Sequence, residues 1–500
     1  MNKVMGKINL RISSLVLLGA FFFSSCDASD DDFPEDYKDI EHHETVIVGA
    51  GISGLTSAYF LKDKDFLILE KENRVGGRAV SGVKNNFTYA KGTEYLGKPE
   101  EHLAKMIDGL GLKPKEIPSP MDAFFDGKRF YYGSDGIERY LISNSNESTY
   151  YRFVKLLLDE YAQYDEIPDL NYNSHAKQLD NTTANQWLIN NSIPEVYINK
   201  YNISSRGLFG ASLSEISALS FIPEAAFDYD ESDLEYKVNY VSDEQEYIDA
   251  TEESSESYTF TKGITELTNK LGERFGNKVR LNSQVIDIEK DQNIYVVKYI
   301  NSEGKESIVA AKHVILAVPS PIALRIASSV LPEEAKDIIS EIEFASYATV
   351  ALFSKTPIFT KAFDLAVPDD YFFTDIYDGT WVQRHYEQST PQEYIMSVYI
   401  APHTYKDHSL DTMSEQEMIS KVYSDLDKVF PGASSKITGY DIERFPYAYP
   451  VMTLGAYKRL LRLHELNTGT LILAGDYMIY PTFESAVEAG YLAAETINDK

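Results

Sequence analysis

The stretch Val46-Ile47-Val48-Gly49-Ala50-Gly51-Ile52-Ser53-Gly54-Leu55 decides the fold of this chain. Around it, Glu44 to Val48 reads as a short buried strand, Ser53 to Lys62 as a helix, and Asp65 to Glu70 as a second buried strand. A strand, a helix and a strand within about 30 residues form a β–α–β unit. The three glycines stand where such a unit needs them. Gly49 permits the tight turn, Gly51 lets main chain approach a pyrophosphate, and Gly54 lets the helix pack against the strand. Ile52 and Ser53 stand at the helix N-terminus, whose free N–H groups and positive dipole end suit phosphate. The glycines alone would also fit a turn with no ligand. Glu70 argues for a ligand, because it closes the second strand 21 residues after Gly49. A carboxylate there accepts hydrogen bonds from a ribose and repels a 2′-phosphate, which disfavours NADP.

The next loop, Lys71-Glu72-Asn73-Arg74-Val75-Gly76-Gly77-Arg78, selects among dinucleotides. An NAD enzyme has no need of it. An extended flavin nucleotide crosses such a loop with its pyrophosphate. Lys71 opens the loop, Gly76 and Gly77 let main chain come close, and Arg78 offers a fork of donors to phosphate or flavin. The plainer alternative is a glycine turn with a solvated arginine.

The run from Val46 to Arg78 resembles the flavin-containing amine oxidase superfamily. That group includes monoamine and polyamine oxidases, L-amino-acid oxidases, protoporphyrinogen oxidases and carotenoid desaturases such as phytoene desaturase. Further stretches are similar. Thr261 to Leu267, followed by Leu281 to Ile288, resembles the segment whose valine, Val285 here, meets the adenine. His313 to Pro319 resembles a later strand, and Leu471 to Asp476 with Glu484 to Gly490 resembles the C-terminal motif. The resemblance implies that Gly475 and Asp476 reach the phosphate or ribityl part of FAD. It also implies that the helix entered at Ser485 and Ala486 aims its N-terminus at the isoalloxazine, favouring negative charge there. Gly92-Thr93-Glu94-Tyr95 resembles a loop beside the flavin. FAD is expected to bind non-covalently, since the only cysteine is Cys26 and a cysteinyl link is excluded after it.

The expected class is α/β: a Rossmann-type FAD-binding domain built from discontinuous segments, with an interleaved α+β substrate domain. Residues 44–97, 258–322 and 465–500 are assigned to the first, and 98–257 and 323–464 to the second. Val279 to Ile288, Asn293 to Asn301, Glu306 to Ala311, His313 to Val318 and Thr470 to Ala474 read as strands. Residues 224–257 are strongly acidic and read as a surface excursion.

A flavin takes a hydride at N5 from an organic substrate, here an amine, an amino acid or a polyunsaturated or cyclic compound. The sequence does not name the electron acceptor, O2 or a quinone. A redox-neutral flavoenzyme, such as a mutase or isomerase, and a non-catalytic FAD-binding surface lipoprotein are the alternatives. Against the resemblance, the family lysine that holds a water near N5 falls at Thr349, and the aromatic pair that cages an amine falls at Phe445 and Thr482. Arg444 to Pro450 is closer to the porphyrinogen oxidase and desaturase branch. Glu94, Tyr95, Thr482 and Phe445 are the catalytic candidates. Glu94 would bind a cationic substrate or act as a base, or would be an ordinary surface carboxylate or salt-bridge partner. Trp381 and His385 have no assigned place, and the nine histidines form no metal pattern.

The net charge of −30 argues against nucleic acid as a partner, because phosphate binding needs clustered Lys and Arg. At the N-terminus, Lys3, Lys7 and Arg11 precede an apolar run from Leu15 to Phe23, then Ser24, Ser25 and Cys26. This resembles a bacterial lipoprotein signal over residues 1–26, with Cys26 lipidated as the membrane anchor, although Phe23 stands where leucine is usual. A plain secretory signal or an uncleaved anchor is the alternative. Residues 27–43 read as an acidic tether ending in His42 and His43. The expected location is the periplasmic or cell-surface face of a membrane.

Overall fold

The computed structural model describes Phe33, Tyr37, residues 39–234 and residues 254–500. The targeting segment, Cys26, most of the acidic tether and part of the acidic 224–257 stretch lie outside the described residues.

In chain order, β1 (His42–Val48), α1 (Ile52–Phe60) and β2 (Phe66–Leu69) form the expected unit. His42 and His43 belong to β1, opposite Ala310 and Ala311, rather than to a tether end. After it come β3 (Ala123–Phe125) and β4 (Phe130–Tyr132), then six helices from Gly133–Ser143 to Ala218–Phe227. The chain returns with β5 (Val279–Arg280), β6 (Gln284–Asp291), β7 (Ile294–Ile300) and β8 (Glu306–Leu316). A second excursion supplies β9 (Phe344–Ser354), β10 (Asp364–Ala366), β11 (Asp375–Asp378), β12 (Tyr394–Ile400) and β13 (Ile437–Pro450). The strand β14 (Leu471–Leu473) and the helix α2 (Phe483–Asn498) close the chain.

Two seven-stranded sheets result. In the first, the order β5-β2-β1-β8-β7-β6 is extended by β14, which pairs with β8. β5, β2, β1, β8 and β14 run parallel, and β7 and β6 are antiparallel additions. Strands from three distant stretches thus make one sheet. The central strands are apolar at successive positions, Val46 to Val48 and Phe66 to Leu69, because alternate residues are buried in a separate core on each face. Two sequence expectations differ in detail. β8 is one continuous strand of 11 residues where two were expected. The stretch expected as Val279 to Ile288 breaks into β5 and β6, with Asn282 between them at φ 51°.

α1 and α2 lie side by side on this sheet. Their approach requires Gly490, whose added Cβ would fall 2.3 Å from the Ser53 carbonyl oxygen. Ser57 Oγ donates across the contact to the Gly490 carbonyl at 2.9 Å.

The second sheet has the order β13-β9-β12-β11-β10-β3-β4. Side chains alternate across it. Val350, Leu352, Leu365, Ile376, Met396 and Val398 are buried on one face in a core with the helix Glu415–Val429. The opposite face carries Tyr347, Thr349, Asp364, Asp375, Tyr377 and Tyr399, and it lines a cavity.

Candidate active site

One cavity of about 1760 Å³ runs from the glycine turn to that polar sheet face. Pockets for one small ligand ordinarily measure roughly 300–1,000 Å³. This one is large enough for a nucleotide and a second molecule.

At the first end, the glycine turn is shaped by neighbours. Gly49 has φ 101°, and a Cβ there would lie 2.4 Å from the Ala317 carbonyl oxygen. A Cβ on Gly54 would lie 2.1 Å from the Gly49 carbonyl oxygen. Gly51 differs, since nothing lies within 4 Å of its added Cβ. Its Cα looks into open space at the start of α1, which has no side-chain cap and no acidic residue in its first turn. Ser53 Oγ is buried there with no hydrogen-bond partner among the described residues. The Glu70 carboxylate closes the turn, accepting from Ala50 N at 2.7 Å and from Glu72 N at 2.8 Å. Burial raises its pKa against those two bonds. Val285 lines the same end and is buried.

Opposite the turn, Arg78 and Asp476 form a bidentate pair, with both nitrogen–oxygen distances at 2.7 Å. Arg78 also donates to the Ala448 carbonyl. Asp476 is buried, and Gly475 beside it has φ 143°. α2 starts nearby, where Thr482 Oγ1 caps it by accepting from Ser485 N at 3.2 Å. These residues fit FAD. The open face of Gly51, the uncapped helix end and the orphaned Ser53 hydroxyl suit a pyrophosphate, and Glu70 suits a ribose.

At the second end, Glu94 meets the polar sheet face. Its Oε2 lies 2.6 Å from the Tyr399 hydroxyl, which also lies 2.7 Å from the Gly92 carbonyl oxygen. Burial pushes the Glu94 pKa up to about 7, against the lowering effect of the Tyr399 hydrogen bond. One O–H donates to one oxygen at a time. Ionised Glu94 therefore accepts from Tyr399, whereas protonated Glu94 donates to Tyr399, which then donates to Gly92. Tyr347, Tyr377 and Tyr449 pack around these groups, with ring centroids 4.7–6.0 Å apart. Thr349 Oγ1 donates to the Lys91 carbonyl at 2.7 Å. The Lys91 ammonium pairs instead with Asp441 and Glu443.

A family model for flavin containing amine oxidoreductases matches residues 52–498. The chain belongs to that family. FAD is its cofactor, held non-covalently. The probable flavin-containing monoamine oxidase A of Dictyostelium discoideum is 26% identical over 296 residues, 57% of this chain. That match spans about three-fifths (59%) of the relative's length. Flavin-containing amine oxidase B of Homo sapiens is 23% identical over 481 residues, 91% of this chain and 86% of the relative. A putrescine oxidase variant superposes with a TM-score of 0.71 at 19% identity, covering 92% of this chain and 100% of that one. That likeness is one of fold.

The cavity brings together nearly all the residues singled out from sequence. Gly49, Gly51, Ile52, Ser53, Glu70, Lys71, Gly77, Arg78, Gly92, Thr93, Glu94, Tyr95, Val285, Phe445, Gly475, Asp476, Thr482, Ser485 and Ala486 all line it. Gly54 lies off it, pressed against the Gly49 carbonyl as a packing residue. Lys71 is mostly solvent-facing and pairs with Glu72. Arg78 spends its fork on Asp476 and Ala448. Glu94 lies in the cavity, where the plainer sequence reading had a surface carboxylate. Trp381 and His385 belong to the helix Trp381–Glu387, and Trp381 Nε1 donates to the Pro118 carbonyl at 2.7 Å. The sequence reading missed Tyr347, Asp364, Asp375, Tyr377 and Tyr399. The available signal was the alternation of Asp-Ile-Tyr-Asp over 375–378, which puts Asp375 and Tyr377 on one face.

Proposed function

We propose that this protein oxidises an amine, passing a hydride from the carbon beside the nitrogen to FAD. The reading is carried by one continuous cavity that joins the glycine turn to a sheet face of carboxylates and tyrosines. Gly51, Ser53, Glu70, Val285, Arg78 and Asp476 would hold the nucleotide. Bound FAD supplies the hydride acceptor. The chain supplies position, charge and a proton site. An amine enters as an ammonium ion, attracted by Glu94, Asp364 and Asp375. It must lose a proton before its C–H bond becomes a hydride donor. Glu94 is the group that accepts that proton, and the Glu94–Tyr399–Gly92 arrangement holds it afterwards. Tyr399, Tyr347 and Phe445 give ring faces on which the substrate rests.

Carboxylates on the cavity wall repel the acidic side chains of a porphyrinogen and offer nothing to a polyene. They favour the amine over the branch that Arg444 to Pro450 resembles. The test is anaerobic mixing of the yellow protein with amines, amino acids and a porphyrinogen. Amines are expected to bleach the flavin. Bleaching by a porphyrinogen alone would sink the reading, as would turnover only after pre-reduction.

Anchoring through a lipidated Cys26 belongs to the same proposal, with an oxidase tethered at a membrane face outside the cytoplasm. Cys26→Ser is expected to move the protein from the membrane to the soluble fraction. Unchanged partition would rule out the lipid anchor.

A further inference from the structure

Asp364 and Asp375 sit on neighbouring antiparallel strands, β10 and β11. Asp364 is opposite Tyr377, and Asp375 is opposite both Ala366 and Tyr399. The register makes the two aspartates diagonal neighbours on one face, about 7 Å apart at their Cβ atoms. Both line the cavity. Among the described residues neither forms an ion pair, and Asp364 Oδ1 is out of reach of solvent with no hydrogen-bond partner. Asp364 also feels the charges of Asp122 and Glu94. Arg206 and Lys200 also act on Asp375, from beyond ion-pair distance. Arg206 is paired with Asp369 at 2.6 Å, and Lys200 lies 4.3 Å from the centre of the Tyr201 ring.

Two enclosed carboxylates this close are costly unless a cation or a shared proton neutralises them. Among the described residues no cation forms an ion pair with either of them. Glu94 hydrogen-bonds to Tyr399 on β12, and Asp364 stands two strands further on, about 10 Å away at the usual strand spacing. Tyr377 and Tyr399 bridge that interval with ring centroids 4.7 Å apart, a path suited to an alkyl chain and to cations over rings.

We propose that the substrate is a dication: one amino group is oxidised beside Glu94, and a second, remote amino group is held by Asp364 and Asp375. This rests on the amine-oxidation reading and adds a requirement to it. A monoamine fills the reacting end and leaves the aspartate pair to a shared proton. An α,ω-diamine or a longer polyamine compensates both ends.

The experiment compares pentylamine, cadaverine and spermidine as reductants of the yellow protein under anaerobic conditions. Cadaverine is expected to exceed pentylamine in kcat/KM by at least about tenfold, the scale of one charge-assisted contact. Asp364→Asn and Asp375→Asn should each shrink that ratio by raising the KM for cadaverine while its kcat holds, and the double variant should abolish it. Flavin content, read from the visible spectrum, reports whether each variant folds. Equal efficiency of pentylamine and cadaverine in the wild type overturns the proposal, as does a ratio that survives in the folded double variant. Failure of every amine to bleach the flavin overturns the underlying amine reading instead, and the dication with it.

Discussion

Gly51→Leu should give a folded but colourless protein. The backbone at Gly51 has φ −69° and ψ 174°, which a leucine adopts without strain. No atom lies within 4 Å of the added Cβ, so the side chain enters free space. That space is where a pyrophosphate would meet the start of α1. The fold should lose no more than roughly 0.5 kcal/mol, as for other substitutions that disturb no packing. FAD content, read as the ratio of flavin to protein absorbance, should fall to near zero. Gly49→Ala and Gly54→Ala make the contrast, because their Cβ atoms collide with backbone oxygens at 2.4 and 2.1 Å and should destabilise the fold itself. A Gly51→Leu protein as yellow as the wild type would mean that the nucleotide lies elsewhere.

Glu94→Gln should lower kcat/KM by about 100-fold, the lower range for loss of a positioned base. Glutamine keeps the size of the side chain and can still accept from Tyr399, so the fold and the flavin should be retained. The pH profile is the sharper readout. Burial holds the Glu94 pKa at about 7, so the proton-accepting form dominates above that pH. Wild-type kcat/KM should therefore rise with pH through about 7 and fall below it. In Glu94→Gln that limb should vanish. A profile that keeps its limb near pH 7 in the variant would assign the titration to another group.

The cofactor half of the molecule was legible because its chemistry is local. A turn, a helix end and a carboxylate lie within the β1–α1–β2 unit, and Gly54 meets the Gly49 carbonyl inside it. Val285 and Asp476 were legible only through the resemblance, since nothing in their own neighbourhoods points to a nucleotide. The substrate half was much less legible. β9 is buried along its whole length, so Thr349 and Tyr347 do not stand out from Ala348 and Val350 in the sequence. Asp364 and Asp375 look like surface residues in a chain rich in acids. Only the pairing of β11 with β10 on one side and β12 on the other turns them inward together. Arg78 shows the limit differently. Its place was legible and its partner was not, because Asp476 lies 398 residues away.

That distance bears on biogenesis. β14 slots in beside β8, α2 packs against α1, and Asp476 engages Arg78, so the partners of the opening turn are made some 398 positions after it. A nascent polypeptide therefore carries its glycine turn long before the far wall exists. Loading of the nucleotide therefore waits for the segment from Leu471 to Asn498, and a product lacking that segment would be an unfilled half-shell whatever the state of its opening motif.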